Sequence, residues 1–189
     1  MKSALLLIDI QNDYFEGGKC QLYHTKEAAV HGREILELFR REKLPVFHVQ
    51  HISANKDATF FLPGTKGTEF YESVAPLVQE KVFIKHSPSA FLHTGLAEAL
   101  LEQGIEHLVI AGMMSHMCID TTVRAAQEYG FLVTLISDGC TTKDLISMEG
   151  RVIPAQTVHD AFMTALNNTF AKVLDTKKFI TQFESAGLI

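Results

Sequence analysis

Long apolar runs are missing from this 189-residue sequence. Segments such as Ala4 to Ile8 and Leu108 to Ala111 stop far short of the roughly 20 residues a membrane-spanning helix needs, so no transmembrane helix is expected. Met1 and Lys2 lead straight into a strand-like run ending at Asp9, with neither the apolar core nor the small-residue cleavage site of a secretory signal. A cytoplasmic location is therefore expected. Cysteine is scarce and odd in number: Cys20, Cys118 and Cys140 are too widely spaced for a disulfide framework or a zinc pattern, which leaves free thiols. A basic surplus is absent too. The 17 Lys and Arg against 22 Asp and Glu leave a net charge of −5, which speaks against a nucleic-acid partner. No Gly-x-Gly-x-x-Gly or Gly-x-x-x-x-Gly-Lys segment follows any strand-like run, which opposes a nucleotide-binding module. Repeats, low-complexity tracts and linkers are also lacking, so a single domain over residues 1–189 is expected.

What the chain does have is 47% hydrophobic and 21% charged residues, the balance of an ordinary globular protein. A chain of this length buries roughly 70% of its unfolded surface without cross-links. Six short apolar runs read as strands: Ala4 to Ile10, Pro45 to Ile52, Lys81 to Lys85, His107 to Met113, Phe131 to Ser137 and Ala171 to Leu174. They are continuous rather than alternating, as in strands covered on both faces. Between them, Glu27 to Lys43, Leu96 to Glu102, His116 to Tyr129 and Ala155 to Phe170 have helical spacing. Such alternation predicts an α/β fold, a parallel sheet with helices on both faces and ligands beyond the carboxyl ends of its strands. The long stretch from Ser53 to Lys66, with Phe60 and Phe61, interrupts the alternation and reads as a substrate-covering loop.

Three residues at predicted strand ends could carry chemistry. Asp9 follows five apolar residues in "LLLIDIQNDY", and burial there would suit a proton shuttle; the same carboxylate could instead cap a turn with Asn12 and Asp13. Lys85 ends the third run in "VFIKHSPSAF", either as a snorkelling strand end or as a cation within a site. Cys118, in "AGMMSHMCIDTTVRAA", falls in the first turn of a predicted helix capped by Ser115, a setting that favours thiolate, although an isolated cysteine also fits a buried structural role. Cys20 and Cys140 have no comparable setting. On one sheet edge, a nucleophile, a carboxylate and a cation make a complete set for acyl transfer.

The order "LLIDIQNDY", "FLPGTKGTEF", "KHSPSAF", "GMMSHMCIDTTVRAAQEYG" and the late His159 to Leu166 helix resembles the isochorismatase-like cysteine hydrolases, a family that includes nicotinamidases, N-carbamoylsarcosine amidases, ureidoacrylate hydrolases and isochorismatases. The resemblance spans nearly the whole chain. It implies a three-layer α/β/α sandwich around a six-stranded parallel sheet in the order 3-2-1-4-5-6, and a homodimer or homotetramer. It also implies a catalytic triad of Asp9, Lys85 and Cys118, with a cis peptide at Met113–Met114 and an oxyanion hole from the N–H groups of Met114 and Cys118. Hydrolysis of an amide or ureido C–N bond through a Cys118 thioester follows, with Asp9 shuttling the proton, Lys85 stabilising the thiolate and no cofactor.

The metal-binding Asp-x-His unit of nicotinamidases is absent. His48, Val49, Gln50 and His51 stand there, and His48 and His51 point to opposite faces of a strand, so they read as solvent-exposed or core residues and no catalytic metal is expected. Phe15, Phe60, Phe61, Phe91, Met114 and Met117 are candidates for an apolar pocket wall, and each also fits a core position. Without an arginine cluster, a small neutral or singly charged amide is the expected substrate. The alternatives are an isochorismatase-type vinyl ether hydrolase that uses Asp9 as acid, and a non-catalytic thiol redox sensor.

Overall fold

The computed structural model describes residues 1–186. Strand β1 (Ser3–Ile8) sends Ala4, Leu6 and Ile8 into one hydrophobic cluster and Leu5 and Leu7 into another on the opposite face. A run that is apolar on both sides fits only a covered, central strand. Strands β2 (Val46–His51), β3 (Lys81–Lys85), β4 (His107–Met113) and β5 (Leu132–Thr141) follow. After a small antiparallel hairpin of β6 (Leu145–Ile146) and β7 (Val152–Ile153), strand β8 (Lys172–Leu174) completes the main sheet. Its six strands are all parallel, in the order β3-β2-β1-β4-β5-β8. This is the expected 3-2-1-4-5-6 order, with the hairpin shifting only the number of the last strand.

Helices α1 (Thr25–Arg41), α2 (Leu96–Glu102), α3 (Asp120–Glu128), α4 (Ala155–Leu166) and α5 (Thr176–Ala186) form the outer layers. On one face α1 and α5 bury Ile35, Leu36, Phe39, Phe179 and Phe183; on the other, α2, α3 and α4 bury Leu96, Leu100, Val123, Met163 and Leu166. Each such side chain contributes roughly 1.5–3 kcal/mol of burial, so the two apolar faces of the sheet fix where every helix lies.

Three local features depart from the sequence reading. The helix expected from His116 to Tyr129 is divided: a π-turn occupies Ser115–Ile119, and α3 starts at Asp120. Ser115 lies inside that turn rather than capping it, and its hydroxyl meets the His159 ring Nδ1 at 2.8 Å. Strand β5 continues to Thr141, past the expected end at Ser137, because its register against β4 shifts between Ile110 and Gly112. Helix α5 was not expected, since it lies beyond the last strand where no crossover requires it. Its signals are local: the Asp175 carboxylate accepts the Lys178 N–H at 2.8 Å, and Phe179 and Phe183 lie one turn apart on its buried side.

Gly112 has no substitute where β4 passes β1. Its φ is +140°, and a Cβ there would stand 2.0 Å from the Ile8 carbonyl oxygen. The two central strands can therefore run side by side up to the edge where the candidate residues collect.

Candidate active site

The sheet order places the carboxyl ends of β3, β2, β1 and β4 next to one another, and each delivers one polar side chain. The chain leaves β1 at Asp9, whose φ of +53° turns the backbone sharply while its N–H still bonds the Val49 carbonyl at 3.0 Å. Lys85 closes β3 and pairs in register with His51 at the end of β2. Cys118 is the fourth residue of the π-turn that follows β4. Met114 begins that turn: its carbonyl accepts the N–H groups of Met117 and Ile119 at 3.0 and 3.2 Å, and the Met113–Met114 peptide is cis.

These ends converge. Lys85 Nζ lies 2.8 Å from Asp9 Oδ2, 2.9 Å from His51 Nδ1, 3.0 Å from the Ser87 carbonyl and 3.2 Å from Cys118 Sγ. Asp9 and Lys85 are both fully buried, so the lysine is not a snorkelling strand end and the aspartate is not a surface turn cap. Removing two charges from water costs several kcal/mol each, a cost carried here by an ion pair at the sheet edge. Both Asp9 oxygens are nevertheless buried without a donor at hydrogen-bonding angles, and such unpaired acceptors are rare in folded proteins.

Burial dominates the electrostatics. It pushes the Cys118 thiol up to about 12, Asp9 adds to the rise, and Lys85 only partly offsets it. The resting group is therefore a thiol, not the thiolate expected of a cysteine at a helix terminus; Asp9 already neutralises the ammonium, so a second anion would be uncompensated. For Lys85 burial works against the charge, but Asp9 and Cys118 carry it above its ordinary value. Burial likewise holds Cys140 at about 12, inside β5, and raises the half-buried Cys20 thiol.

The donor set Asp9, His51 and Cys118 offers atoms within 4.8 Å of one another, an arrangement that could hold a cation. The Lys85 ammonium already lies within 3.2 Å of an atom of each of the three. His51 was expected to be solvent-exposed or in the core, and the structure corrects this by placing its ring in the cluster. The two rings do have different surroundings: His48 lies in the core and meets Glu80 Oε2 at 2.9 Å, while His51 meets Lys85.

Sequence reasoning also missed the residues that hold the site's surroundings. Gln11, fully buried, accepts the His51 N–H at 2.7 Å and donates to the carbonyls of His51 and Thr68 at 2.9 and 2.8 Å. Asp13 Oδ2 accepts the Phe61 N–H at 2.6 Å, and Oδ1 accepts that of Lys19 at 3.2 Å. The "IDIQND" segment thus delivers one carboxylate to the cluster, ties His51 to Thr68 through Gln11, and clamps the loop from Ser53 to Lys66 through Asp13 at Phe61 and Asn12 at the Lys66 carbonyl. Tyr14 is a further omission: burial first, then the nearby Cys118 and Asp9, push its phenol well above the usual range.

The proposed wall residues scatter. Phe61 is buried against Tyr14 and lies 5.7 Å from the His51 ring, and Phe60 packs on both Phe61 and Tyr14. Phe15 stacks on Tyr71 at 3.6 Å, while Phe91 lies in the core against Tyr129 and Phe131. Met114 is buried and Met117 exposed. Two cavities of about 650 and 720 Å³ open elsewhere, one lined by His24, His31, Asp138 and His159 and the other beside Phe60 and Leu62.

Comparison with known proteins bears on this geometry. The family model described as the isochorismatase domain matches residues 3–178. The chain is 48% identical over 180 residues to the uncharacterized isochorismatase family protein YddQ of Bacillus subtilis, covering 95% of this chain and 99% of that one. Nicotinamidase 3 of Arabidopsis thaliana is 26% identical, with 93% and 86% of the two chains covered. A crystal structure from Oleispira antarctica, assigned to the isochorismatase hydrolases, superposes with a TM-score of 0.90 at 43% identity, covering 95% of this chain and 96% of that one.

Proposed function

The chain belongs to the isochorismatase family of hydrolases, and on that premise we propose that it is a cysteine hydrolase cleaving a C–N bond of a small amide or ureido substrate. The observation that carries the reading is the buried cluster itself: a thiol, an ammonium 3.2 Å from its sulfur, and a carboxylate that pairs with that ammonium at 2.8 Å through Oδ2 and keeps Oδ1 unpartnered. One relative is named for cleaving an amide, which supports the C–N assignment.

In this reading Cys118 attacks the substrate carbonyl carbon as Asp9 takes the thiol proton. With the thiol held up at about 12, proton transfer and attack are coupled rather than sequential. Lys85 balances the charge that moves onto sulfur, and the N–H groups of Met114 and Cys118 receive the developing oxyanion, a contribution of about 3 kcal/mol in comparable sites. Asp9 then protonates the departing nitrogen, which leaves a thioester, and the same carboxylate activates the water that hydrolyses it. Phe61, Met114 and Met117 are assigned to the substrate's surroundings. The ether-hydrolase alternative needs Asp9 but not the thiol.

Ammonia release from a panel of primary amides and ureido acids tests the proposal, with Cys118→Ala and Cys118→Ser beside the wild type. Turnover should fall by about a thousandfold or more in both variants. Undiminished turnover in Cys118→Ser overturns the thioester and favours acid catalysis by Asp9.

A further inference from the structure

His51 is the polar side chain of the cluster that these steps leave unused. Its Nδ1 stands 2.9 Å from Lys85 Nζ, and an ammonium has three donors and no lone pair, so Nδ1 must accept and the ring proton must sit on Nε2. Nζ faces four acceptors: Asp9, His51, the Ser87 carbonyl and Cys118 Sγ. Three protons cannot serve four acceptors equally, so the balance among them decides whether the ammonium stays near sulfur. A carboxylate at position 51 would pull it away. An apolar side chain would free one N–H to swing towards Asp9 Oδ1, the oxygen left for the thiol proton while Oδ2 meets the ammonium at 2.8 Å. A neutral acceptor does neither. The ring is neutral because burial, then Lys85 and His86, lower it to about 4 against the opposing pull of Asp9.

We propose that His51 is a positioning residue of this site: in its Nε2–H tautomer it anchors the Lys85 ammonium through Nδ1, holding it between Asp9 Oδ2 and Cys118 Sγ and off the remaining oxygen, Asp9 Oδ1. The inference rests on the thioester reading for its role in turnover, but the grip on Lys85 can be measured without any substrate. The backbone of His51 is pinned independently, through both hydrogen bonds to Gln11, so a side-chain substitution leaves the end of β2 in place.

The experiment alkylates Cys118 with iodoacetamide at about pH 8 in wild type, His51→Ala and His51→Asn, with peptide mapping and with Cys20 in the same chain as the control for local unfolding. Loss of the charge-assisted contact should slow Cys118 about tenfold or more in His51→Ala while Cys20 is unchanged. The asparagine carbonyl can replace Nδ1, so His51→Asn should stay within about threefold of wild type. Ring ¹⁵N spectra of the wild type should show an unprotonated Nδ1 and an Nε2–H across the neutral range. An Nδ1–H tautomer, an unchanged rate in His51→Ala, or equal slowing in both variants overturns the proposal. Hydrolysis surviving in Cys118→Ser would remove the thioester reading alone, because the alkylation rates still decide whether His51 holds Lys85.

Discussion

Replacing Asp9 by asparagine should abolish hydrolysis and yet make Cys118 react faster with an alkylating agent. The thiol is raised by burial first and by the Asp9 charge second, against the opposing Lys85. The carboxylate lies within 4.8 Å of the sulfur, where at an effective dielectric constant of about 20 a unit charge is worth about 3 kcal/mol. Its removal lowers the thiol by about two pKa units, which raises the thiolate fraction at neutral pH about a hundredfold. A less basic thiolate is also a weaker nucleophile, which takes back about tenfold, so iodoacetamide should label Cys118 about tenfold faster. Hydrolysis should fall about a thousandfold, because nothing then takes the proton or returns it to the leaving nitrogen. The unpaired Lys85 ammonium costs about 3–5 kcal/mol of stability, so the comparison is made on protein whose circular dichroism shows it folded. Slower or unchanged labelling, or hydrolysis within tenfold of wild type, refutes the reasoning.

Burial would raise the Glu80 carboxyl, but Arg40, the Leu77 N–H and His48 together hold it at about 2. A depressed folded value stabilises the protein above the unfolded pKa of about 4.3 and is lost as pH falls through the folded one, so the stability gap between wild type and Glu80→Gln in urea titrations should close between about pH 4 and pH 2. Asp13→Ala removes the acceptor of the Phe61 and Lys19 N–H groups and should cost about 1–3 kcal/mol, with faster hydrogen exchange at Phe61 and along the loop from Ser53 to Lys66; unchanged exchange there would remove the clamp assigned to Asp13. Gly112→Ala forces a Cβ to within 2.0 Å of the Ile8 oxygen and should lower stability by about 3 kcal/mol or prevent folding, as thermal melts would show.

The sheet was legible because β1 and β4 are apolar on both faces, a pattern that few other environments produce. Asp9, Lys85 and Cys118 could be named because each ends or follows a strand on one edge, where parallel order brings distant segments together. Three things were not legible. The π-turn spans only Ser115–Ile119, a single turn too short for its wider spacing to show in the sequence, so Ser115 looked like a cap. The state of the thiol depends on burial and on an ion pair formed across strands, neither of which is encoded near Cys118. His51 joins the cluster through its register with Lys85, and register between strands joined by the long connection from Ile52 to Glu80 is not a local property. Gln11 and Asp13 did carry a signal, since polar residues directly after a buried strand must find partners; Gln11 finds them at His51 and Thr68, and Asp13 finds one in the long loop at Phe61.

The most direct test of a covalent Cys118 mechanism is a rapid acid quench of enzyme mixed with an amide or ureido compound that it turns over, followed by mass analysis of the peptide containing Cys118. The account predicts that this peptide gains the mass of the substrate's acyl group as a thioester, and that the Asp9→Asn variant yields none. Turnover accompanied by an unmodified Cys118 peptide at every quench time, and persisting in Cys118→Ala, would contradict it.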